Sequence, residues 1–164
     1  MTEKKLEQAE QLKVIFTREE IAAKIAEIGS QINADYAGKE LVLLGVLRGS
    51  VYFMVDLTRA LSVSFIIDFI SISQYSEQTD SAGVVRITKD LDTSITGKHV
   101  LIVEDIVDTG LSLGYLLRNL KTRKPADIKV CTLLNVEARR IVEVPVDYKG
   151  FDLQVFFQGV HGNE

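Results

Sequence analysis

Three carboxylates and a glycine turn sit within nine residues of this chain, Glu104-Asp105-Ile106-Val107-Asp108-Thr109-Gly110-Leu111-Ser112. The apolar residues 100–103 precede them and read as a strand buried on both faces. A helical apolar pattern follows over 111–120. A strand that opens through a small-residue loop onto a helix N-terminus is a phosphate site, because backbone N–H groups point outward there and the helix dipole favours an anion. Glu104, Asp105 and Asp108 would repel that anion, so they must face another part of the same ligand. A phosphorylated sugar resolves the conflict. Its phosphate takes the loop amides and the Thr and Ser hydroxyls, while ribose hydroxyls and a bound Mg²⁺ take the carboxylates. The competing reading is an acidic turn that caps a helix, but capping needs one acid and leaves two unexplained.

Leu47-Arg48-Gly49-Ser50 is a second constellation. Arg48 offers a guanidinium fork for two phosphate oxygens, and Gly49 lets backbone approach closely, which suits a diphosphate. A plain strand-to-helix turn with a solvated arginine is the alternative. A third is the polar stretch 74–83 after Ser73, with Gln74 and Tyr75 at its head. It lacks apolar periodicity and reads as a loop, and by composition alone a solvated one. His99 is a lone histidine at a strand's leading edge, and His161 sits in a polar tail, so neither founds a metal or nucleophile cluster.

The elements that must position these groups alternate between helix and strand. Thr17-Arg18-Glu19-Glu20 is a capping box, and Ile21, Ile25, Ile28 and Ile32 repeat behind it at helical spacing. That helix should end near 35–38, where Gly38 supplies the turn. A buried strand is expected at 41–47, a helix carrying Val51, Val55, Leu57 and Leu61, and a long apolar run at 63–72. A short strand at 84–87, a turn at 93–98 and a strand at 128–134 complete the order, Pro125 ending the connector to the last. Alternating strands and helices predict an α/β fold with a mainly parallel sheet flanked by helices. Ligands of such sheets bind beyond the carboxyl ends of the strands, where all three constellations leave.

Composition narrows the class. The 164 residues favour one domain, and 46% hydrophobic residues supply a core. No apolar run approaches the roughly 20 residues that span a bilayer, and no apolar stretch follows the charged N-terminus as in a secretory leader. The net charge of −4 argues against general nucleic-acid affinity, which needs clustered excess Lys and Arg. The single cysteine, Cys131, lies in an apolar run and reads as a buried thiol of a cytoplasmic protein.

The acidic strand end followed by Asp-Thr-Gly and a hydroxyl residue resembles the phosphoribosyl-diphosphate (PRPP) motif of the type I phosphoribosyltransferases. Within that family the chain is most similar to the hypoxanthine-guanine phosphoribosyltransferases, from about residue 14 to 151. The resemblance implies one domain over 1–164, with a core at about 38–135 and a small hood from about 1–20 and 136–164. It implies Mg²⁺ as cofactor and PRPP and a purine base as substrates. Glu104 and Asp105 would hold ribose hydroxyls or the metal shell, and Asp108 would be the base near the purine N7. Thr109, Gly110, Leu111 and Ser112 would cradle the 5′-phosphate. Arg48 stands where the family has Lys beside Gly49, in a turn that contacts diphosphate, often through a non-proline cis peptide. Ser73, Gln74 and Tyr75 open a lid loop, with Gln74 replacing a small hydroxyl residue.

After Leu134 the likeness changes. Val136 occupies the position of a Lys that reads the purine 6-oxo group, while Arg139 and Arg140 match a downstream Arg pair. Phe157 falls where an aromatic stacks on the base and Glu164 where an Asp helps bind the metal, but 158–163 departs from the pattern and a last family segment is missing. The family usually forms dimers or tetramers. Three functions follow: a purine salvage phosphoribosyltransferase, a PRPP- or nucleotide-binding paralogue with reduced or lost turnover and a regulatory role, or an interaction protein on a shared fold. The intact acidic motif speaks against the third, and Val136 keeps the second in view.

Overall fold

The structure is a computed structural model and describes residues 14–75 and 84–154. Helix α1 (Arg18–Asp35) starts at the expected capping box: Thr17 accepts from the Glu20 N–H, and Glu20 returns the bond to the Thr17 N–H. It ends at Tyr36, and Gly38 turns the chain at φ +74°. Strand β1 (Leu41–Leu47), helix α2 (Val51–Ala60), strand β2 (Phe65–Tyr75) and strand β3 (Val84–Lys89) follow. Strand β4 (His99–Val107), helix α3 (Leu111–Lys121), strand β5 (Asp127–Asn135) and strand β6 (Tyr148–Asp152) complete the order among the described residues, with a 3₁₀ turn at Glu137–Arg139.

The six strands form one sheet in the order β3-β2-β1-β4-β5-β6, parallel throughout except for the β2–β3 pair. β1 shows why its residues are all apolar. Leu41 and Leu43 pack with Ile25, Ile28 and Ile32 of α1 and Phe53, Met54 and Leu57 of α2. Val42, Leu44 and Val46 pack on the opposite face with Leu113, Leu116, Leu117 and Leu120 of α3. A central strand covered on both faces leaves no side chain for water, so strict alternation disappears.

Three elements differ from the sequence reading. β4 does not stop at Val103 but runs on to Val107, carrying Glu104 and Asp105 inside the strand. Its ladder with β5 continues to Val107↔Asn135, so sheet pairing overrides the polar character of the two acids. β2 likewise runs to Tyr75, with Gln74 opposite Val85 and Tyr75 opposite Val84. Ser73, Gln74 and Tyr75 therefore end a strand rather than open a loop, and 76–83 lies outside the described residues. Tyr148–Asp152, which the sequence reading assigns to the hood, is the sixth strand, pairing Tyr148 with Cys131 and Phe151 with Leu134. As an edge strand of five residues it carries little apolar signal.

Side-chain bonds lock the strand starts to α1. The Tyr36 hydroxyl donates to Asp127 at 3.3 Å, the His99 Nδ1 meets the other oxygen of that carboxylate, and the Tyr148 hydroxyl donates to Asp35. His99 is thus paired with Asp127 rather than alone. Phe16, just before the cap, stacks on Phe151 of β6 at 3.9 Å between ring centroids. Helices α1 and α2 touch where Gly29 faces Ala60: a Cβ on Gly29 would lie 2.7 Å from the Ala60 Cβ and 2.9 Å from its carbonyl oxygen. Gly29→Val is expected to destabilise by about 1–3 kcal/mol through overpacking, read as a lower urea midpoint at unchanged slope.

Candidate functional site

The carboxyl end of β4 turns into α3 through Asp108, Thr109 and Gly110, and a cleft of about 300 Å³ opens there. Gly110 sits at φ +81°, a left-handed conformation that glycine adopts without strain. A Cβ at this position would also overlap the carbonyl oxygen of Val142. The glycine is therefore required twice, by backbone angle and by space. Helix α3 starts with no side-chain cap and no acidic residue in its first turn. Its amides and its dipole favour an outside anion, and Thr109, Gly110 and Ser112 line the cleft beside them.

The segment after β5 straps this loop down. The N–H groups of Ile141 and Val142 both donate to the Thr109 carbonyl, at 2.8 and 3.0 Å. The Arg140 Nε donates to the Asp108 carbonyl at 3.0 Å and its Nη2 to the Asn135 side chain at 2.6 Å. The Val136 N–H donates to the Val107 carbonyl at 2.9 Å. Val136 is itself buried, 3% exposed. Nothing local in the sequence marks Arg140 or Asn135 as partners of the loop, because the contacts to the Asp108 carbonyl span 32 residues.

The three acids take three environments. Successive strand residues face opposite ways, so Glu104 lines the cleft beside α3 while Asp105 lies against Gly49, where a Cβ would overlap its carboxylate. Gly49 thus allows the β1–α2 turn to close on Asp105. The Leu47–Arg48 peptide of that turn is cis, Arg48 is exposed, and the Ser50 hydroxyl is turned inward to the Val46 carbonyl at 2.6 Å. Burial, and then the neighbouring charge of Asp105, push the Glu104 carboxyl up to about 8. Asp108 binds Arg139 through one oxygen, Oδ2 to Nη1 at 3.2 Å, while its Oδ1 is buried with no hydrogen-bond partner among the described residues.

The sheet thus gathers Glu104, Asp105, Asp108, Thr109, Gly110, Leu111 and Ser112 with Arg48 and Gly49 at one edge. Phe157 and Glu164 lie outside the described residues. Among the described residues no group of three or more His, Cys, Asp or Glu side chains can hold a metal ion, and no helix is long and apolar enough to cross a membrane.

A phosphoribosyl transferase domain matches residues 11–164. The chain belongs to the phosphoribosyltransferase family. It is 47% identical over 146 residues to a hypoxanthine-guanine phosphoribosyltransferase of Mycobacterium avium, covering 85% of this chain and 72% of that protein. It is 46% identical over 143 residues to a hypoxanthine phosphoribosyltransferase of Haemophilus influenzae, covering 85% and 80%. The crystal structure of a hypoxanthine phosphoribosyltransferase from Staphylococcus aureus superposes with a TM-score of 0.84 at 38% identity, over 90% of this chain and 80% of that one. The fold of this phosphoribosyltransferase is therefore the one its sequence motif implies.

A carboxyl whose folded pKa is raised contributes stability that is fully present below its unfolded value and is lost as pH rises toward the folded one. For Glu104 that window runs from its ordinary 4.5 to about 8. The melting temperature of Glu104→Gln is expected to climb relative to wild type between pH 5 and pH 8 and then to hold a constant lead. A difference independent of pH would show that Glu104 is not kept protonated.

Proposed function

We propose that this phosphoribosyltransferase carries out purine salvage, transferring the phosphoribosyl group of PRPP to hypoxanthine or guanine with release of diphosphate. One observation carries the reading: a helix start whose left-handed N-cap glycine supplies no side-chain cap shares its cleft with a carboxylate that has one oxygen without a hydrogen-bond partner among the described residues. The first feature suits a phosphate and the second a ring N–H. A purine that carries its ring proton on N7 would meet both requirements beside a bound phosphoribosyl group.

In this reading Thr109, Gly110, Leu111 and Ser112 receive the 5′-phosphate, Glu104 and Asp105 the ribose hydroxyls, and Arg48 and Gly49 the diphosphate. The purine N9 bonds to the anomeric carbon as the bond from that carbon to the diphosphate oxygen breaks, and the N7 proton passes to Asp108. Ser73, Gln74 and Tyr75 would be the lid residues of the site, and Val136 and Phe157 would be the residues that bind the base. Two carboxylates fit Mg²⁺, which keeps few protein ligands and takes its other oxygens from substrate and water; a cation there would also relieve the repulsion between Glu104 and Asp105. Glu104 and Asp105, with Glu164 from the tail, would hold it, and when bound it neutralises the departing diphosphate. A buried free thiol at Cys131 suits a reducing compartment and supports a cytoplasmic location, and the reading takes the chain to act as a homodimer or homotetramer.

A second reading rests on Val136. With an apolar residue where the family carries its base-reading Lys, the chain would be a PRPP- or nucleotide-binding paralogue with reduced turnover and a regulatory role. PRPP binding without product formation would identify it.

Two sets of variants test the roles. Gly110→Val is expected to abolish PRPP binding in titration calorimetry, and unchanged affinity would remove the phosphate from this loop. Asp108→Asn is expected to keep PRPP affinity and to lower turnover by about 10²–10⁴-fold, the usual worth of a general base. Glu104→Ala combined with Asp105→Ala should instead weaken PRPP binding. Loss of PRPP binding in Asp108→Asn with its maximal rate retained would reverse the assignment.

A further inference from the structure

We propose that Arg139 is the specificity-determining residue of the base subsite: paired with Asp108, it selects a purine that bears an oxo group beside its N7–H. The inference rests on the reading of Asp108 as the group that faces the base.

The two side chains line the same cleft and meet at 3.2 Å through a single oxygen and a single nitrogen. On one side of that contact is an acceptor, Asp108 Oδ1, buried and without a hydrogen-bond partner among the described residues. On the other is a guanidinium with five N–H donors in a planar fork, whose partner among the described residues is Asp108. The pair therefore presents an acceptor next to a donor. A 6-oxopurine presents the complement along one edge, with O6 accepting beside N7, where the free base can carry its proton. A 6-aminopurine turns a donor toward the guanidinium and leaves it unmatched.

Of the two arginines that follow the 3₁₀ turn's first residues, Arg139 is the one whose guanidinium lines the cleft. Arg140 is engaged by the Asp108 carbonyl and the Asn135 side chain. Val136 has no donor in its side chain, which is buried, and its N–H is held by Val107. Arg139 lies at the end of a 3₁₀ turn with its side chain 55% exposed, so it can be replaced without opening the core. Arginine also differs from lysine here, because a fork can hold Asp108 with one N–H and O6 with another.

The nucleotide products give a readout that needs no turnover, since IMP keeps the oxo group after N7 has given up its proton, and AMP carries an amino group instead. Calorimetric dissociation constants for IMP, AMP and PRPP should be measured for wild type, Arg139→Met, Arg139→Lys and Val136→Lys. Wild type should bind IMP more tightly than AMP. Arg139→Met should weaken IMP by about ten- to a hundredfold, the value of a hydrogen bond to a charged group, with AMP and PRPP unchanged. Arg139→Lys should recover part of the loss, and Val136→Lys should add little. Unchanged IMP affinity in Arg139→Met with PRPP binding retained would overturn the proposal. Wild type that binds PRPP but does not prefer IMP over AMP would overturn it too and leave the proposed function standing. Wild type that binds neither PRPP nor IMP would overturn both.

Discussion

The site depends on how the loop at the end of β4 is held. Gly110 is left-handed and has the Val142 carbonyl where a side chain would begin, and the Thr109 carbonyl accepts two amides from the same segment. That strap keeps the loop close against its neighbours, while the N-cap residue Gly110 brings no side-chain cap to α3. An exposed loop would gain nothing from such a restraint, because water would satisfy its backbone. Here the restraint fixes a row of amides in a cleft, so the entropy of ordering them is lost on folding rather than on binding.

The same strap links the phosphate end of the site to the base end. It runs from Val136 through Arg139 and Arg140 to Val142, and along it the chain touches Val107, Asp108, Thr109 and Gly110 in turn. Arg140 serves architecture and Arg139 faces the cleft, although the two residues are adjacent and chemically alike. Their difference comes from the 3₁₀ turn, which places consecutive side chains in different surroundings. Around the opposite edge of the sheet, the Tyr36, His99, Asp127 and Tyr148 contacts hold the strand starts. Rigidity is thus provided at both ends of the strands while chemistry is concentrated at one.

Much of this was legible in the sequence, for physical reasons that differ by element. β1 and the start of α1 follow from local rules, a run buried on both faces and a reciprocal cap. The Asp-Thr-Gly loop was legible because its residue types fit one backbone conformation and one charge problem. The length of β4 was not, since Glu104 and Asp105 look like loop residues until pairing with β5 holds them in the sheet. β6 was hidden because an edge strand whose Lys149 and Asp152 are exposed carries little apolar pattern. Arg139 was read only as part of a matching pair, since nothing in its neighbourhood shows that Asp108, far away in sequence, will leave one oxygen for it.

The most direct test is a product balance on the purified chain with PRPP, hypoxanthine and Mg²⁺. Diphosphate and nucleoside monophosphate should appear in equal amounts, and neither should appear when the purine or PRPP is withheld. PRPP that binds and persists unchanged beside hypoxanthine and guanine would contradict the account, since it would leave the strapped phosphate loop with a ligand and Asp108 without a reaction.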